Sequence, residues 1–256
     1  MINEELYTLI HNTFASAVLG YCRIAPVFFL MPFLSSGNIS NVIRHPLIMI
    51  VAWALAPHYQ IDFLTLPALR LVMIIAGEIS VGLLLAVLLV FPFWVFQAMG
   101  NFIDNQRGAT LSSTLDPATG VDASELARLF NLFSAAVYLS NGGMLLMLEA
   151  IHQSYRFYDA MGGGNIHFSH VTTYLNMMMT KGIVYASPVI AVMLGTEAIL
   201  GLLSRYASQL NAFSISLTVK SGAAFLMLLI YFAPVLAEKV MEITFTTEQL
   251  SLFFQN

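Results

Sequence analysis

Apolar residues fall into six blocks along the chain, with short polar stretches between them. A helix needs about 20 predominantly apolar residues to cross a bilayer, and the blocks fit this length poorly because the second is too short and the third and fifth are too long. The pattern predicts an all-α protein with a single membrane-associated domain over residues 1–256. The blocks lie at about 13–34, 46–57, 69–98, 129–149, 174–203 and 221–237.

Prolines lie inside most of these apolar blocks. Each proline removes a backbone donor and crowds the preceding turn, so a helix that contains one tends to kink or break. We therefore expect helical hairpins with kinked and broken helices as much as straight spans. The prolines concerned are Pro26, Pro32, Pro92, Pro188 and Pro234.

The composition assigns the chain to the membrane class. It is 58% hydrophobic and 9% charged, whereas a soluble domain carries about a quarter charged residues, and its mean hydropathy is +0.79. The net charge of -4 and the lack of a Lys/Arg cluster argue against a nucleic-acid partner. Because Glu4 and Glu5 stand where a signal peptide needs positive charge, we expect the N-terminus to be retained.

Four charged residues lie in the interior of apolar blocks, away from the block edges: Arg23, Glu78, Lys181 and Glu197. A charge at the middle of a bilayer costs at least about 2.5–3.5 kcal/mol on insertion scales, so each needs a partner or a wet environment. Two residues of each sign indicate pairing. They could form an ion relay in a transporter, but no carboxylates cluster in the sequence, which favours anchoring between helices or subunits.

Both glutamates are flanked by small residues. Glu78 lies in GEISVG, residues 77–82, and Glu197 lies in GTEAILG, residues 195–201. Small residues allow another backbone to approach closely, which is how helices associate in membranes. Both stretches are therefore predicted to be packing faces for partner helices.

No catalytic or cofactor-binding motif is present, so we expect neither an enzyme nor a bound cofactor. His167 and His170 have a spacing that could bind a metal on a helix. They follow the glycine-rich stretch at 162–165 and lack further ligands nearby, so an ordinary loop is the better interpretation. The single cysteine, Cys22, excludes an internal disulfide.

One extended polar stretch interrupts the apolar sequence, GNFIDNQRGATLSSTLDPATGVDASE at residues 100–125. The turn signal LDPATG at 115–120 is followed by Asp122 and Glu125, which resemble a capping box that would start a helix at about residue 123. Its many donors and acceptors suit a loop in a wet cavity, since unsatisfied backbone and side-chain groups are costly in hydrocarbon.

A second unusual stretch, residues 202–222, distributes polar residues over a modestly amphipathic segment. It could lie at a membrane interface or dock against partner subunits, and spacing alone gives these two interpretations equal weight. The polar residues that would mediate docking are Arg205, Gln209, Asn211 and Lys220.

Four strings in the chain resemble the T subunit of the type III secretion export apparatus, the injectisome counterpart of the flagellar R subunit. The strings are FIDNQRGATLSSTLDPATGVDASE, GLLSRYASQLNAFSISLTVKSG, RIAPVFFLMPFL and YLSNGG. The resemblance runs through nearly the whole chain and is stronger for the injectisome branch. One departure is Ser208, where the family pattern has proline.

This resemblance implies a multi-pass protein of the bacterial inner membrane with no cofactor. One copy would join several R-type and S-type subunits in a helical export gate that conducts unfolded polypeptides, partly above the bilayer on the periplasmic side. It would contact lipid, the large export gate protein and the switch protein. The resemblance also implies a plug that closes the channel, formed here by Asn105, Gln106, Arg107, Gly108, Ala109 and Thr110.

Two other function classes remain open from the residues. A secondary transporter could bind a small solute near Glu78 and Glu197, but such transporters are built from inverted repeats, which the sequence does not clearly show. An intramembrane enzyme is a more distant alternative.

Overall fold

The computed structural model describes residues 2–35, 37–57, 59, 66–108, 124–160, 169–206, 212–247, 250 and 253. Helices make up nearly all of the described chain, and no β-strand lies within it, so the predicted all-α class is confirmed. The elements are α1 (Ile2–Leu30), a 3-10 turn (Pro32–Leu34), α2 (Asn41–Leu55), α3 (Ala68–Arg107), α4 (Glu125–Ser140), α5 (Gly143–Phe157), α6 (Ser169–Tyr206), α7 (Ala212–Tyr231), a π-helical turn (Phe232–Leu236) and α8 (Ala237–Glu242).

Three of the described helices are long and apolar enough to cross a membrane: Ile10–Leu30, Ala68–Arg107 and Val171–Tyr206. The α4–α5 pair adds a fourth if its two bent halves are counted as one span. At 1.5 Å per residue, the 40 residues of α3 extend about 60 Å, twice the thickness of about 30 Å of the hydrocarbon core. The expectation that the third and fifth blocks are too long for a simple span is confirmed.

The fourth apolar block, predicted at 129–149, is divided between two helices. α4 ends at Ser140 and α5 begins at Gly143, so the block is not one continuous helix. Gly142 lies at the corner with a φ of +79°, a left-handed conformation that glycine adopts without the Cβ penalty of other residues. The bend therefore depends on this glycine and not on a proline.

The five internal prolines occupy two kinds of position, three inside continuous helices and two at breaks in regular α-helix. Pro26, Pro92 and Pro188 lie inside α1, α3 and α6, which remain continuous helices. Pro32 lies in the 3-10 turn and Pro234 in the π-helical turn. Neighbouring groups can satisfy the carbonyls that a proline frees, so only two of the five prolines coincide with a break in regular α-helix.

The chain divides into two compact units. The first comprises residues 1–91, 142–172 and 245–256, and the second comprises residues 92–141 and 173–244. The boundary within α3 falls immediately before Pro92, where the helix lacks a backbone donor. The single functional domain over residues 1–256 stays a prediction.

In the first unit, α1 packs closely against α2. A Cβ on Gly20 would come within 2.6 Å of the Ala56 Cβ and 3.3 Å of the Ala52 Cβ, so only glycine allows this approach. Leu19 joins Ile74 and other residues in a small buried cluster.

In the second unit, aromatic rings fill the core. Phe93 of α3 meets the Tyr138 ring of α4 edge to face at 5.3 Å between ring centroids, and Phe133 lies 4.3 Å from Phe232. Such pairs add packing energy beyond the area they bury. This core holds the C-terminal part of α3 beside α4, on either side of the polar stretch.

Candidate functional site

The polar stretch begins as helix and not as loop. α3 continues to Arg107, and Gly108, with a φ of +77°, follows it and donates its N–H to the Asn105 carbonyl at 3.1 Å. The prediction of a loop from residue 100 is therefore wrong for its first eight residues, because Met99 and Ile103 continue the buried face of the helix at helical spacing.

Of the six residues proposed for the plug, four lie at the end of α3 and two lie outside the described residues. Asn105, Gln106 and Arg107 lie in the last turn of α3, and Gly108 ends that turn. Ala109 and Thr110 lie outside the described residues. The described part of the stretch is thus the base from which the remaining segment leaves α3.

Asp104 is the centre of this base. Its side chain is 1% exposed, and it accepts hydrogen bonds from Arg107 Nε at 2.6 Å, from Ser124 Oγ at 2.5 Å and from the Leu126 backbone N–H at 3.0 Å. Ser124 and Leu126 belong to the start of α4. One buried carboxylate therefore joins the end of α3 to the start of α4, across the segment that separates them in sequence.

The start of α4 differs from the predicted capping box. α4 begins at Glu125, and Ser124 is its N-cap, since its Oγ accepts the Ala127 N–H at 3.0 Å. The Asp122 side chain proposed for this role lies outside the described residues. Ser124 fits the position because a serine hydroxyl can accept from the helix and donate to Asp104 at the same time.

The two helices also approach each other through their backbones beside Asp104. A Cβ on Gly100 would overlap the backbone of Leu126 and Ala127. Gln97 and Asn131 add a side-chain hydrogen bond of 3.1 Å between the same helices. The contact between α3 and α4 therefore does not depend on Asp104 alone.

Arg107 is fixed on two sides. Besides its bond to Asp104, its guanidinium lies over the Phe225 ring of α7, 5.2 Å from the ring centroid, a cation–π distance. Its side chain is 16% exposed. Arg107 thus contacts both Asp104 of its own helix and Phe225 of α7.

Charge pairing predicted for the apolar blocks is confirmed most clearly in the first unit. Arg23 Nη2 and Nε donate to the two Glu78 oxygens at 2.6 and 2.7 Å, and both side chains are buried. Arg23 also donates to Ser154 Oγ at 3.2 Å and to the Tyr158 carbonyl at 3.0 Å, and it lies 4.0 Å from the Tyr155 ring centroid. This geometry anchors α1, α3 and α5 to one another.

Glycines beside Glu78 provide the predicted close packing. A Cβ on Gly82 would overlap the backbone of Arg23, and a Cβ on Gly77 would come within 2.6 Å of the Tyr158 hydroxyl. The 77–82 stretch is therefore a filled packing face within this chain.

The other two charges find partners that the sequence did not indicate. Lys220 Nζ lies 3.3 Å from Glu197 Oε2, and Lys181 Nζ lies 3.7 Å from Glu242 Oε1. Glu197 keeps half of its side chain exposed, at 52%. Beyond the nearby backbone of α6 itself, no described atom lies within 4 Å of a Cβ built on Gly195 or Gly201, so this second glycine face is open among the described residues.

Two residues of the predicted docking set lie within the described part of the chain, and they differ in exposure. Arg205 is exposed in the last turn of α6, whereas Lys220 is 7% exposed and bonded to Glu197. Gln209 and Asn211 lie outside the described residues. The sequence pattern could not distinguish these cases because Lys220 and Glu197 are far apart along the chain.

Histidines give no sign of a metal site in the described part of the chain. His170 belongs to the first turn of α6, and His167 lies outside the described residues. No group of three or more His, Cys, Asp or Glu side chains that could hold a metal occurs among the described residues.

Sequence reasoning missed Asp104, the residue with the most informative contacts at the base. The available signal was its spacing, three residues before Arg107 in a helical turn, combined with a serine at the predicted start of the next helix. Its bonds to the start of α4 have no signature in the sequence.

The chain is similar in sequence to known proteins over almost its whole length. The model of the family described as bacterial export proteins, family 1, matches residues 14–245. The chain belongs to this family. It is an export-apparatus subunit, and the predicted membership of the type III secretion T-subunit family is confirmed.

Individual relatives agree with the injectisome branch. The chain is 45% identical over 249 residues to the surface presentation of antigens protein SpaR of Salmonella typhimurium, covering 97% of this chain and 95% of that protein. It is 29% identical to the Yop proteins translocation protein T of Yersinia pestis over 82% of each chain. Identity falls to 24%, over 75% of each chain, for the flagellar biosynthetic protein FliR of Escherichia coli. These relatives lend no support to the secondary-transporter alternative.

Proposed function

We propose that this chain is the T-type subunit of a type III secretion export gate and that the segment between α3 and α4 plugs the closed channel. The observation that carries the proposal is the base of that segment. The described residues on the two sides of this polar stretch lie together, since Asp104 near the end of α3 bonds Ser124 and Leu126 at the start of α4. Polar groups at such a position belong in a wet channel and not in lipid.

A plug of this composition can close a channel and still open. Each hydrogen bond between polar groups contributes only about 0.5–1.5 kcal/mol net, so many together hold the segment in place while an arriving polypeptide can replace them one at a time. Substrate binding then shifts the population towards the open state. The chain needs no covalent chemistry or cofactor for this role.

The test of the plug is a deletion that spares its base. Removing residues 109–115 keeps Arg107, Asp104 and the Ser124 cap, and the short gap between the ends of α3 and α4 leaves enough chain to close the loop. We expect normal assembly but leakage of ions and of a small dye, measured as conductance of the reconstituted complex and dye entry into cells. A deletion complex as tight as the parent would contradict the plug.

Partner subunits are proposed to cover surfaces that this chain leaves open. Only 22% of the most apolar window of α6 is buried within the chain, against 72% for α3. R-type and S-type subunits would cover α6, and Arg205 at its end would contact them, the large export gate protein or the switch protein. A complex containing one copy of this chain would extend partly above the bilayer on the periplasmic side, which the length of α3 would allow.

The first test of this assembly is expression with and without partners. Expressed alone, the chain should aggregate or be degraded, whereas co-expression with R-type and S-type partners should yield a discrete complex. A monodisperse monomer in mild detergent would argue against the proposal.

The second test is a charge reversal at the end of α6. Arg205→Glu reverses an exposed charge, so complex yield and secretion should fall together. Arg70→Glu, an exposed charge reversal at the start of α3, is the control.

A further inference from the structure

An apolar groove runs between α1 and α2 in the first unit. Its volume is about 420 Å³, within the range of about 300–1,000 Å³ that small-molecule sites occupy. Among the described residues that line it, Thr13 alone carries a side-chain oxygen. The others are Ile10, Phe14 and Ala17 of α1, and Met49, Ile50 and Trp53 of α2. Four of these six are between 59% and 62% exposed, so the described chain leaves the groove unfilled: Ile10, Phe14, Ile50 and Trp53.

Polar side chains lie at one end of this groove, in the first turns of α2. The exposed His45 precedes Met49 by one helical turn on the same face, and its Nδ1 lies 2.6 Å from the Tyr21 hydroxyl of α1. When that hydroxyl donates to Nδ1, the ring carries its proton on Nε2, which can donate to another oxygen. Arg44 and His45 both contact the Phe29 ring, the guanidinium 4.4 Å and the imidazole 5.7 Å from its centroid.

Arg44 brings a positive charge that no acidic side chain of the described residues neutralises. The residue is 7% exposed, and its Nε is buried without a hydrogen-bond partner among the described residues. Its Nη2 donates to Asn41 Oδ1, which holds the guanidinium at the first turn of α2. Ser40, the N-cap of α2, provides no side-chain cap. Because a helix N-terminus and an unpaired guanidinium both favour negative charge, this end of the groove calls for an anion.

The depth of the groove matches one leaflet of a bilayer. From Arg44 to Trp53, α2 rises about 14 Å at 1.5 Å per residue, close to half of the hydrocarbon thickness of about 30 Å. Phe29, which contacts Arg44, is next to the last residue of the candidate span Ile10–Leu30. The polar end therefore lies at the end of a span, where lipid headgroups begin.

The charge at the polar end distinguishes a lipid from a partner helix as the occupant. Lipid tails are as apolar as leucine, so an apolar groove by itself suits either of them. A basic pocket between helices at headgroup depth favours an anionic lipid, since one molecule supplies both the phosphate and the chain. Arginine is also well suited to phosphate, which it can bind through two parallel hydrogen bonds.

We propose that the groove between α1 and α2 binds an anionic phospholipid. Its phosphate lies at Arg44, His45 and the N-terminus of α2, and one acyl chain runs along Met49 and Trp53. The lipid neutralises the buried guanidinium and covers apolar surface that the two helices expose. Neither the segment between α3 and α4 nor α6 takes part, so the lipid site and the plug are tested separately.

Trp53 allows the occupant of the groove to be measured. The assembled complex is reconstituted in phosphatidylcholine vesicles and titrated with phosphatidylglycerol or phosphatidylcholine that carries bromine on an acyl chain, which quenches a tryptophan it touches. Subtracting the emission of a Trp53→Phe complex isolates Trp53. We expect half-quenching at about a tenfold lower fraction of brominated phosphatidylglycerol, as for a hydrogen bond to a charged group. Equal fractions would overturn the site, and so would a Trp53 that neither lipid quenches, which would place a partner helix in the groove.

Charge variants test which residue causes the preference. Arg44→Met should abolish the tenfold preference and still assemble, because it removes a buried charge without leaving a carboxylate unpaired. Arg70→Met removes an exposed positive charge at the start of α3 and, as the matched control, should keep the preference. A preference that survives Arg44→Met, or that Arg70→Met lowers equally, would overturn the site. If Arg44→Met does not assemble, the exposed His45 decides: His45→Ala should lower the preference severalfold, and an unchanged preference would overturn the site.

Discussion

Two stretches of similar sequence, GEISVG at 77–82 and GTEAILG at 195–201, have opposite surroundings in the structure. Glu78 is buried with Arg23, and the flanking Gly82 lies directly against the Arg23 backbone. Glu197 is half exposed beside Lys220, and the glycines of its stretch face open space. Similar spacing thus describes a filled packing face in the first case and an unfilled one in the second.

The difference shows what a glycine and glutamate pattern encodes. It provides space for another backbone and a charge that requires a partner, but it does not specify whether the partner belongs to the same chain. In the first unit the chain supplies both. In the second, the described residues supply Lys220 as the charge partner and nothing against the two glycines, which leaves the glycine face for another molecule under the proposed assembly.

Breaking the buried ion pair should have the largest effect. Arg23→Met would leave Glu78 charged and buried without its main partner, at a cost of about 3–5 kcal/mol, whereas Arg23→Met with Glu78→Leu should recover much of this loss. Thermal unfolding and abundance of the complex measure both. A double variant as unstable as the single one would show that Arg23 acts through Ser154, Tyr155 and Tyr158 instead.

Adding a methyl group to each of the two glycine faces should give the next largest effect, a loss of stability for one face and none for the other. Gly82→Ala would press a Cβ against the Arg23 backbone, which cannot move aside, and should cost about 1–3 kcal/mol or more. The Cβ added by Gly195→Ala meets no neighbouring helix in the described part of the chain, so the abundance of the protein in the membrane should be unchanged. Equal losses for the two variants would remove the contrast between the faces.

A larger side chain on the open face sharpens the same comparison. Gly201→Leu should leave the abundance of the chain unchanged but lower the amount of partner subunits that co-purify with it, because the face would no longer admit a second helix. Leu202→Ala, at an exposed neighbouring position, is a control for general effects on α6. Unchanged partner recovery would indicate that the open glycine face contacts lipid.

The half-exposed ion pair should matter far less than the buried one. Lys220→Met should change the free energy of unfolding by at most about 1 kcal/mol, because the remaining charge, Glu197, keeps half of its side chain exposed to solvent. Melting of the purified complex checks this. A loss as large as that of Arg23→Met would mean that partner subunits bury the pair in the assembly.

The smallest effect concerns Glu242, which lies in α8 outside the candidate spans. Its hydrogen bond with Lys239 lowers the pKa of Glu242 below the ordinary value of 4.5. Because the folded pKa is lowered, the contribution to stability is present above pH 4.5 and is lost as the pH falls through the folded pKa. Glu242→Gln should slightly reduce the difference between melting temperatures at pH 7 and pH 3; an unchanged difference would contradict the coupling.

Local regularities were predictable from the sequence. The apolar blocks identified the long helices, and the mismatch of α2, α3 and α6 with a simple span was visible in their lengths. Long motifs identified the family before any geometry was known. The requirement that Arg23 and Glu78 each have a partner or a wet environment followed from the cost of a charge in an apolar block.

Helix boundaries around the candidate site were harder to predict from the sequence. Residues 100–107 are polar enough to suggest a loop, yet Met99, Ile103 and Asp104 are buried along one side of α3. Capping by Ser124 in place of Asp122 is likewise a choice between two suitable side chains. Burial against other elements decides both questions, and burial is not a local property.

The sequence by itself determined the helical class, the membrane character, the family and the need for charge partners, because these depend on composition, on short-range periodicity and on strings of adjacent residues. Tertiary structure decided which charges meet, which glycine face is filled and that Asp104 joins α3 to α4. Arg23 and Glu78 are 55 residues apart, and Asp104 and Leu126 are 22 apart. A hydrogen bond requires atoms within about 3 Å, and only the folded path of the chain brings such distant residues to that distance.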